Sequence, residues 1–536
     1  MNAVLDGAPA PVAGPGRRRW WALGALGLAG LAVGVDGTVL SVALPTLSRV
    51  LHASESDLQW FSSGYFLVLA AAMLPAGLLG DRYGRRKVLL TSLGLFGIGS
   101  AACAYSTSVA EFMAGRVLIG LAGAGVIVMA FSVLTVLFSK AERPRAVGVM
   151  AGVTFVAFPI GPILGGWLLS SYWWGWVFLL NVPVVAISLA AVIALVPESR
   201  APQRPGLDLV GVITSAAGLV AVTYGLIKAG QDGWSDLSAL ALMIAGVALL
   251  AVFLWWERRL TRRPGGQPLV DLTLFASASF TWGMILAVLP ILAMLGILFT
   301  MPQYFQGVLG TSAMSSGLRL LPLVGGLMAG AVPAARLARM TGAKVTVTGG
   351  LVLLAAGLLA GAMTSTESGG LFIGTWMAVA GTGTGLAMAT AMSAALVELP
   401  EDRAGVGSAV LQAVNKTGGP LGIAVLGSVL SAGYLSRLDL AGLPAAAAAA
   451  VRQSIFGGVA VASRIHSAAL LASVHAAFVH GMDLALLVSA GIALGGAALA
   501  LMFLPASNAM EKTTPAATDA GGDRSGDRRA ATGQAA

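Results

Sequence analysis

Charged residues are the scarcest class in this sequence. Asp, Glu, Lys and Arg make up 10% of its 536 residues, against about 25% in a soluble globular domain. A water-soluble fold is excluded, because no single soluble core could bury the 57% of residues that are hydrophobic. One cysteine, Cys103, excludes an internal disulfide and reads as a small packing residue in an apolar run. The sequence also lacks G-x-x-x-x-G-K-[ST], H-E-x-x-H, G-x-S-x-G and any Cys/His cluster. The first absence excludes an ATP-driven motor. The others leave no reason to expect an enzyme, a metal or a cofactor.

What the sequence has instead is apolar runs of membrane-spanning length, repeated along the chain. They predict an all-α integral membrane protein with fourteen transmembrane helices, each able to cross about 30 Å of hydrocarbon. Residues 1–19 are an Ala/Pro/Gly-rich N-terminal segment ending in three arginines, and a retained first helix is expected after them rather than a cleaved signal peptide. Six spans fall in 20–197, two in 208–256 and six in 279–505, with a long Ala-rich outer loop at 433–476. Short helices lying near the outer surface are expected in that loop. The tail 506–536 has the composition of a disordered segment.

The net charge of +9 does not point to nucleic acid, because the cations sit in short breaks between apolar runs. Alternate breaks, with the tail, carry 24 Lys and Arg; the opposite breaks carry five, Arg49, Lys228, Arg437, Arg452 and Arg464. That asymmetry predicts cytoplasmic N- and C-termini in a cytoplasmic membrane.

An internal repeat is visible. Gly161-Pro162 recurs as Gly419-Pro420, and the same offset of 258 residues aligns Gly84 with Gly342 and Arg86 with Lys344. The matches fall at corresponding places in two sets of six spans. The expected plan is two six-helix pseudo-repeats with two helices inserted between them and a ligand site between the halves.

Four stretches carry chemistry. "GLLGDRYGRRK" (77–87) sets Gly77, Asp81, Arg82, Gly84, Arg85 and Arg86 in a tight turn where a carboxylate meets cations. "GVMAGVTFVAFPIGPILGG" (148–166) holds Gly148, Gly161, Pro162, Gly165 and Gly166, small residues that permit close helix packing beside a proline bend. "EFMAGRVLIGLAGAG" (111–125) places Arg116 inside an apolar span, and "VDGTVLSVALP" does the same for Asp36. At 1.5 Å per residue Asp36 lies about 13 Å and Arg116 about 8 Å from their outer span ends. At comparable depth the two could face one central cavity. Intramembrane charges are costly and rarely left unpaired. For Arg116 the alternative is snorkelling to the outer interface. For Asp36 it is a buried acid with only structural hydrogen bonds.

In these four stretches the chain resembles the major facilitator superfamily, and within it the fourteen-helix drug:proton antiporters. Ala157 stands where the antiporter pattern has a second glycine and Ile119 where Gln is usual; in "WWGWVFLLNVP" (173–183), which is similar to a further family stretch, Gly175 stands where an Arg is usual between tryptophans. The resemblance implies proton-coupled export of drug-like or antibiotic amphiphiles by alternating access. Asp36 would be the proton-coupling acid, tuned by Arg116. The 77–87 loop would latch one half to the other and break as the protein rocks, and the 148–166 motif would mark an exporter. Gln412, Asn415 and Lys416 are candidates to line the cavity or to bond between helices, and Arg319, His480 and Asp483 are weaker candidates. The expected partners are a small molecule, protons and the bilayer, with the protein a monomer. A metabolite exchanger or uptake transporter of the same fold, and a non-transporting receptor or structural protein, are the alternatives.

Overall fold

The computed structural model describes residues 16–139, 142–200, 208–263, 268–270, 272–397 and 401–505. The expectations for the first fifteen residues and for the tail 506–536 lie outside the described residues. The helices are α1 (Gly16–Val50), α2 (Glu55–Tyr83), α3 (Arg85–Ala104), α4 (Val109–Leu137), α5 (Arg143–Ser171), α6 (Trp176–Leu179), α7 (Asn181–Leu195), α8 (Leu209–Asp232) and α9 (Leu237–Thr261). After them come α10 (Ala278–Gln303), α11 (Ala313–Arg319), α12 (Leu321–Thr341), α13 (Ala343–Gly361), α14 (Gly370–Val397), α15 (Glu401–Arg437), α16 (Ala445–Gln453), α17 (Ile455–Arg464) and α18 (Ala468–Phe503). Among the described residues 13 helical stretches are long and apolar enough to cross a membrane. The 29-residue α5, whose apolar part is Val156–Ser171, is long enough for a fourteenth.

Local chemistry sets where the spans begin. Ser54 and Asp57 form a reciprocal capping box at the start of α2, and Ser108, Asp208, Asp236 and Ser277 cap α4, α8, α9 and α10. Gly84 and Gly342 break the chain between α2 and α3 and between α12 and α13, with φ of +117° and +85°. Both occupy a region that side chains rarely adopt, so the 258-residue offset pairs two glycines with the same backbone task.

The first half is α1–α7 and the second is α10–α18. Within the first, α1 packs on α5; within the second, α10 packs on α15. The repeated Gly-Pro pairs sit in these two contacts: Gly161 lies against Thr38 and Val39, and Gly419 against Leu295. The inserted hairpin α8–α9 leans on both halves, since α8 packs on α2 and α15. There Gly230 meets Ser428, and the Trp60 and Tyr224 rings are 5.7 Å apart. The outer surface of α9 stays exposed where lipid would lie.

The segment 433–476 differs from the expected loop. α15 continues to Arg437 and α18 starts at Ala468, leaving two short helices between them. These do not simply lie on the surface. Val451 and Ile455 are fully buried, and the Tyr434 hydroxyl donates to the Val451 carbonyl at 2.8 Å.

The two halves meet along a seam at the arginine-poor end of the bundle. Gln306 donates to the Val42 carbonyl at 3.1 Å, Gln303 donates to Glu55 at 3.1 Å, and the Ser48 and Ser454 hydroxyls are 3.5 Å apart. Beside them α5 and α11 touch backbone to backbone. A Cβ added to Gly317 would sit 2.3 Å from the Pro162 carbonyl oxygen, and one on Gly166 would sit 2.8 Å from Ala313 O.

Candidate functional site

Asp36 and Arg116 are brought together as a fully buried ion pair. Arg116 Nη1 donates to Asp36 Oδ2 at 2.8 Å, and both side chains are 0% exposed. Arg116 is further held by its Nε, which donates to the Phe61 carbonyl at 3.1 Å, and by the Tyr65 ring, 4.3 Å from its Cζ. The Tyr65 hydroxyl in turn donates to the Val33 carbonyl at 3.1 Å. Asn181 Nδ2 reaches the second carboxylate oxygen and the Ser100 hydroxyl, both at 3.2 Å. Each carboxylate oxygen therefore has a donor, while Arg116 Nη2 finds no acceptor among the described residues. Snorkelling is overturned for Arg116, which points into its own bundle.

The expected setting of the pair is corrected. No central cavity wets Asp36 in this conformation; α1, α2, α3, α4 and α7 enclose it within the first half. Close helix approach explains the seal. Gly99 and Gly115 let α3 and α4 come together, with Ile119 filling the gap, and Gly34 faces Ala157 so closely that a Cβ there would sit 2.7 Å from the alanine methyl. The methyl that replaces a glycine at 157 is thus accommodated by a glycine on α1.

The pair still has a route to the other half. Tyr65, under Arg116, and Phe66, next in sequence, have ring centroids 5.0 Å apart. A Cβ on Gly37, beside Asp36, would lie 3.3 Å from the Phe66 ring, and one on Gly419 of α15 would lie 3.4 Å from it. Phe66 thus connects the neighbour of the buried acid to the second half.

The 77–87 loop makes its contacts within the first half. Asp81 accepts from Arg85 at 2.9 and 3.1 Å, and Arg85 Nη1 donates to the Ser132 carbonyl at 3.4 Å. Arg86 donates through its backbone to Glu198 at 3.2 Å and through Nη2 to the Ile193 carbonyl at 2.6 Å. Gly80 admits the Met129 side chain, Gly77 rests near Val128 and Gly84 faces Glu198; Arg82 lies over Tyr83, 5.7 Å from the ring centre. The predicted latch to the other half is not among these contacts.

The members of the 148–166 motif separate into distinct roles. Gly161 and Gly165 receive α1, with Val39 Cγ2 2.7 Å from a Cβ placed on Gly165, whereas Gly166 faces α11 of the other half. Gly148 faces open space, with nothing within 4 Å of an added Cβ. Gly148→Ala is therefore expected to leave stability unchanged or raised by up to about 1 kcal/mol. Gly161→Ala, whose Cβ would lie 2.0 Å from Thr38 Oγ1 and 3.0 Å from Val39 N, is expected to cost about 1–3 kcal/mol. Thermal unfolding of the two purified variants checks the contrast.

Of the remaining candidates, Asn415 is buried and donates to Met392 Sδ at 3.4 Å, with its Oδ1 unpartnered. Gln412 and Lys416 are partly exposed on α15. Arg319 lies over Phe305, 5.8 Å from the ring centre. Asp483 and His480 are partly exposed on α18. A groove of about 420 Å³ between α2, α3 and α4, lined by Pro75, Tyr83, Lys87 and Leu121, does not include the ion pair.

Two repeated helical halves, a seam closed at one end and a dry charge pair inside one half define a membrane transporter of the two-repeat class. The model of the Major Facilitator Superfamily matches residues 26–423, and the chain belongs to that family. It is 33% identical over 506 residues to the tetracenomycin C resistance and export protein of Streptomyces glaucescens, covering 92% of this chain and 93% of that one. It is 32% identical to the multidrug efflux pump LfrA of Mycolicibacterium smegmatis, covering 93% and 99%. Among solved structures, a bacterial homologue of the human lysosomal transporter Spinster, inward-facing and unoccupied, superposes with a TM-score of 0.66 at 16% identity, covering 92% of this chain and 98% of that one.

Proposed function

We propose that this transporter exports drug-like or antibiotic amphiphiles across the cytoplasmic membrane in exchange for protons. The observation that carries the reading is the sealed Asp36–Arg116 pair, a proton acceptor whose counter-ion sits 2.8 Å away and whose surroundings reach the other half through Phe66. A carboxylate in a dry interior is tolerated only while a cation or a proton neutralises it. Asp36 thus alternates between an ion pair with Arg116, neutral overall, and a protonated form in which Arg116 carries an unmatched charge. Protonation frees Arg116 to shift against Tyr65, and the adjoining Phe66 transmits the change to α15 at the seam. Exporting relatives at 33% and 32% identity over nearly the whole chain support the direction and the kind of cargo.

The seam closed at the arginine-poor end supports a conformation open toward the arginine-rich side, which charge asymmetry assigns to the cytoplasm. In that state the substrate enters between the halves. The 77–87 loop engages the second half only when the arginine-rich end closes, which accounts for its contacts with Glu198 and Ser132 here.

The test is uptake of fluorescent and cytotoxic amphiphiles, anionic, neutral and cationic, into inverted vesicles from a pump-deficient host. Uptake driven by an imposed pH gradient and abolished by a protonophore is expected. Uptake indifferent to the gradient overturns the proton coupling, and uptake of none of these compounds overturns the export reading.

A further inference from the structure

Beyond the 24 and five Lys and Arg assigned above to the breaks between apolar runs and the tail, three cations remain: Arg116, Arg319 and Lys416. Arg116 is neutralised by Asp36, and Arg319 is exposed over the Phe305 ring at the arginine-poor end. Lys416 differs from both. It lies deep in the long helix α15 and has neither an ion pair nor a hydrogen bond among the described residues, yet it is partly exposed.

Its direction follows from its neighbours on α15. Gly418 and Gly422 face Val288 and Leu292 of α10, Asn415 faces Met392 of α14, and Ser428 faces α8. Gly419 and Gly427 face Phe66 and Gln59 of α2 in the opposite half. At 100° per residue Lys416 points between Gly419 and Gly427, with Gln412 one turn below it on the same face. Lys416 therefore faces the first half, about 4.5 Å along the axis from Gly419 toward the arginine-rich end, the end through which substrate enters.

The charges at this level do not balance. Phe66 links Gly419 to Gly37, so Lys416 lies near the depth of Asp36 and Arg116, and those two cancel. Asp36 does not meet the lysine, because its carboxylate is fully buried inside the first half with Arg116 and Asn181 as its donors. Asp483 is remote, since Gly481 touches Gly433, 17 residues or about 25 Å farther along α15. One positive charge remains between the halves, and an ammonium there is costly unless an anion or water meets it.

We propose that Lys416 is the counter-ion for an acidic group of the substrate, so that the cargo of this chain is a flat, apolar molecule carrying a carboxylate or phenolate. The ammonium presents three donors to the anion, Gln412 adds a neutral amide, and the Phe66 ring offers a face for an aromatic body. The inference rests on the export reading above and names its substrate class.

Three probes with one ring system test it: 9-anthracenecarboxylate, 9-anthracenemethanol and 9-(aminomethyl)anthracene, followed by fluorescence anisotropy with the purified full chain. The acid is expected to bind about 10-fold tighter than the alcohol, and the amine weakest. Lys416→Gln removes the advantage of the acid and leaves alcohol binding within about twofold, while Lys416→Arg retains the advantage. Equal acid-to-alcohol ratios in wild type and Lys416→Gln, or preference for the amine in wild type, overturn the assignment. The wild-type ranking stands alone if a variant misfolds. Vesicle efflux separates the two readings: charge-blind, proton-driven efflux of all three probes sinks this inference only, and efflux of none sinks the export reading.

Discussion

Asp36→Asn is expected to reduce proton-driven export to the level left by a protonophore, and to destabilise the protein at the same time. The amide cannot take up a proton, so the exchange between paired and protonated states disappears. It also leaves Arg116 buried, 0% exposed, with no counter-charge, and removing one partner of a buried pair costs about 3–5 kcal/mol. Loss of transport in this single variant is therefore ambiguous. Asp36→Asn combined with Arg116→Gln resolves it. The second change removes the stranded cation, and its amide can still donate to the Phe61 carbonyl. Stability should return to within about 1–2 kcal/mol of wild type, read as the thermal unfolding midpoint in detergent, while export stays absent. A double variant that exported would reduce the pair to a structural element and end the proton-coupling assignment.

The elements whose chemistry is local were legible in the sequence. Hydrophobic runs gave the spans, and the Gly84/Gly342 and Gly161/Gly419 matches gave the two halves, because a helix break and a close helix contact each demand glycine at a fixed place. The depth of Asp36 and Arg116 followed from rise per residue. Their surroundings did not, since depth says nothing of rotation about the helix axis. Whether Asp36 faces the seam or its own bundle depends on how α1 turns against α5, and that contact is set by Gly34, Thr38 and Ala157 together. Tyr65 and Ser100 gave no signal, being ordinary residues in apolar runs. Asn181 gave no signal either, a lone amide in the apolar run six residues after Gly175. The partners of the 77–87 loop depend on conformation, which one sequence encodes for every state at once. The early start of α18 was hidden because the Ala-rich 433–476 region carries little hydropathic contrast.

The second large effect is expected at the α5–α11 contact. Gly317→Leu should abolish export by preventing the halves from meeting at the arginine-poor end. A Cβ at 317 would lie 2.3 Å from the Pro162 carbonyl oxygen and 3.0 Å from its carbon, and these are backbone atoms in a helix that cannot rotate away. Gly166→Leu meets Ala313 O and Met314 Cα, both at 2.8 Å, from the other side of the same contact. The atoms nearest to an added Cβ at either glycine belong to the opposite half, so each half is expected to fold while the closed seam is lost. That separates these variants from Gly422→Leu, whose Cβ would strike the Leu292 carbonyl at 2.2 Å within the second half and should damage folding itself. The readout is thiol labelling. The native Cys103 is buried, so a cysteine placed at Ser48, 6% exposed in the closed seam, reports on that end alone. With Gly317→Leu this cysteine should be labelled at least about tenfold faster by a membrane-impermeant maleimide, because buried sites open only rarely in the intact state. Unchanged labelling together with lost export would place the defect elsewhere and remove the α5–α11 contact from the transport cycle.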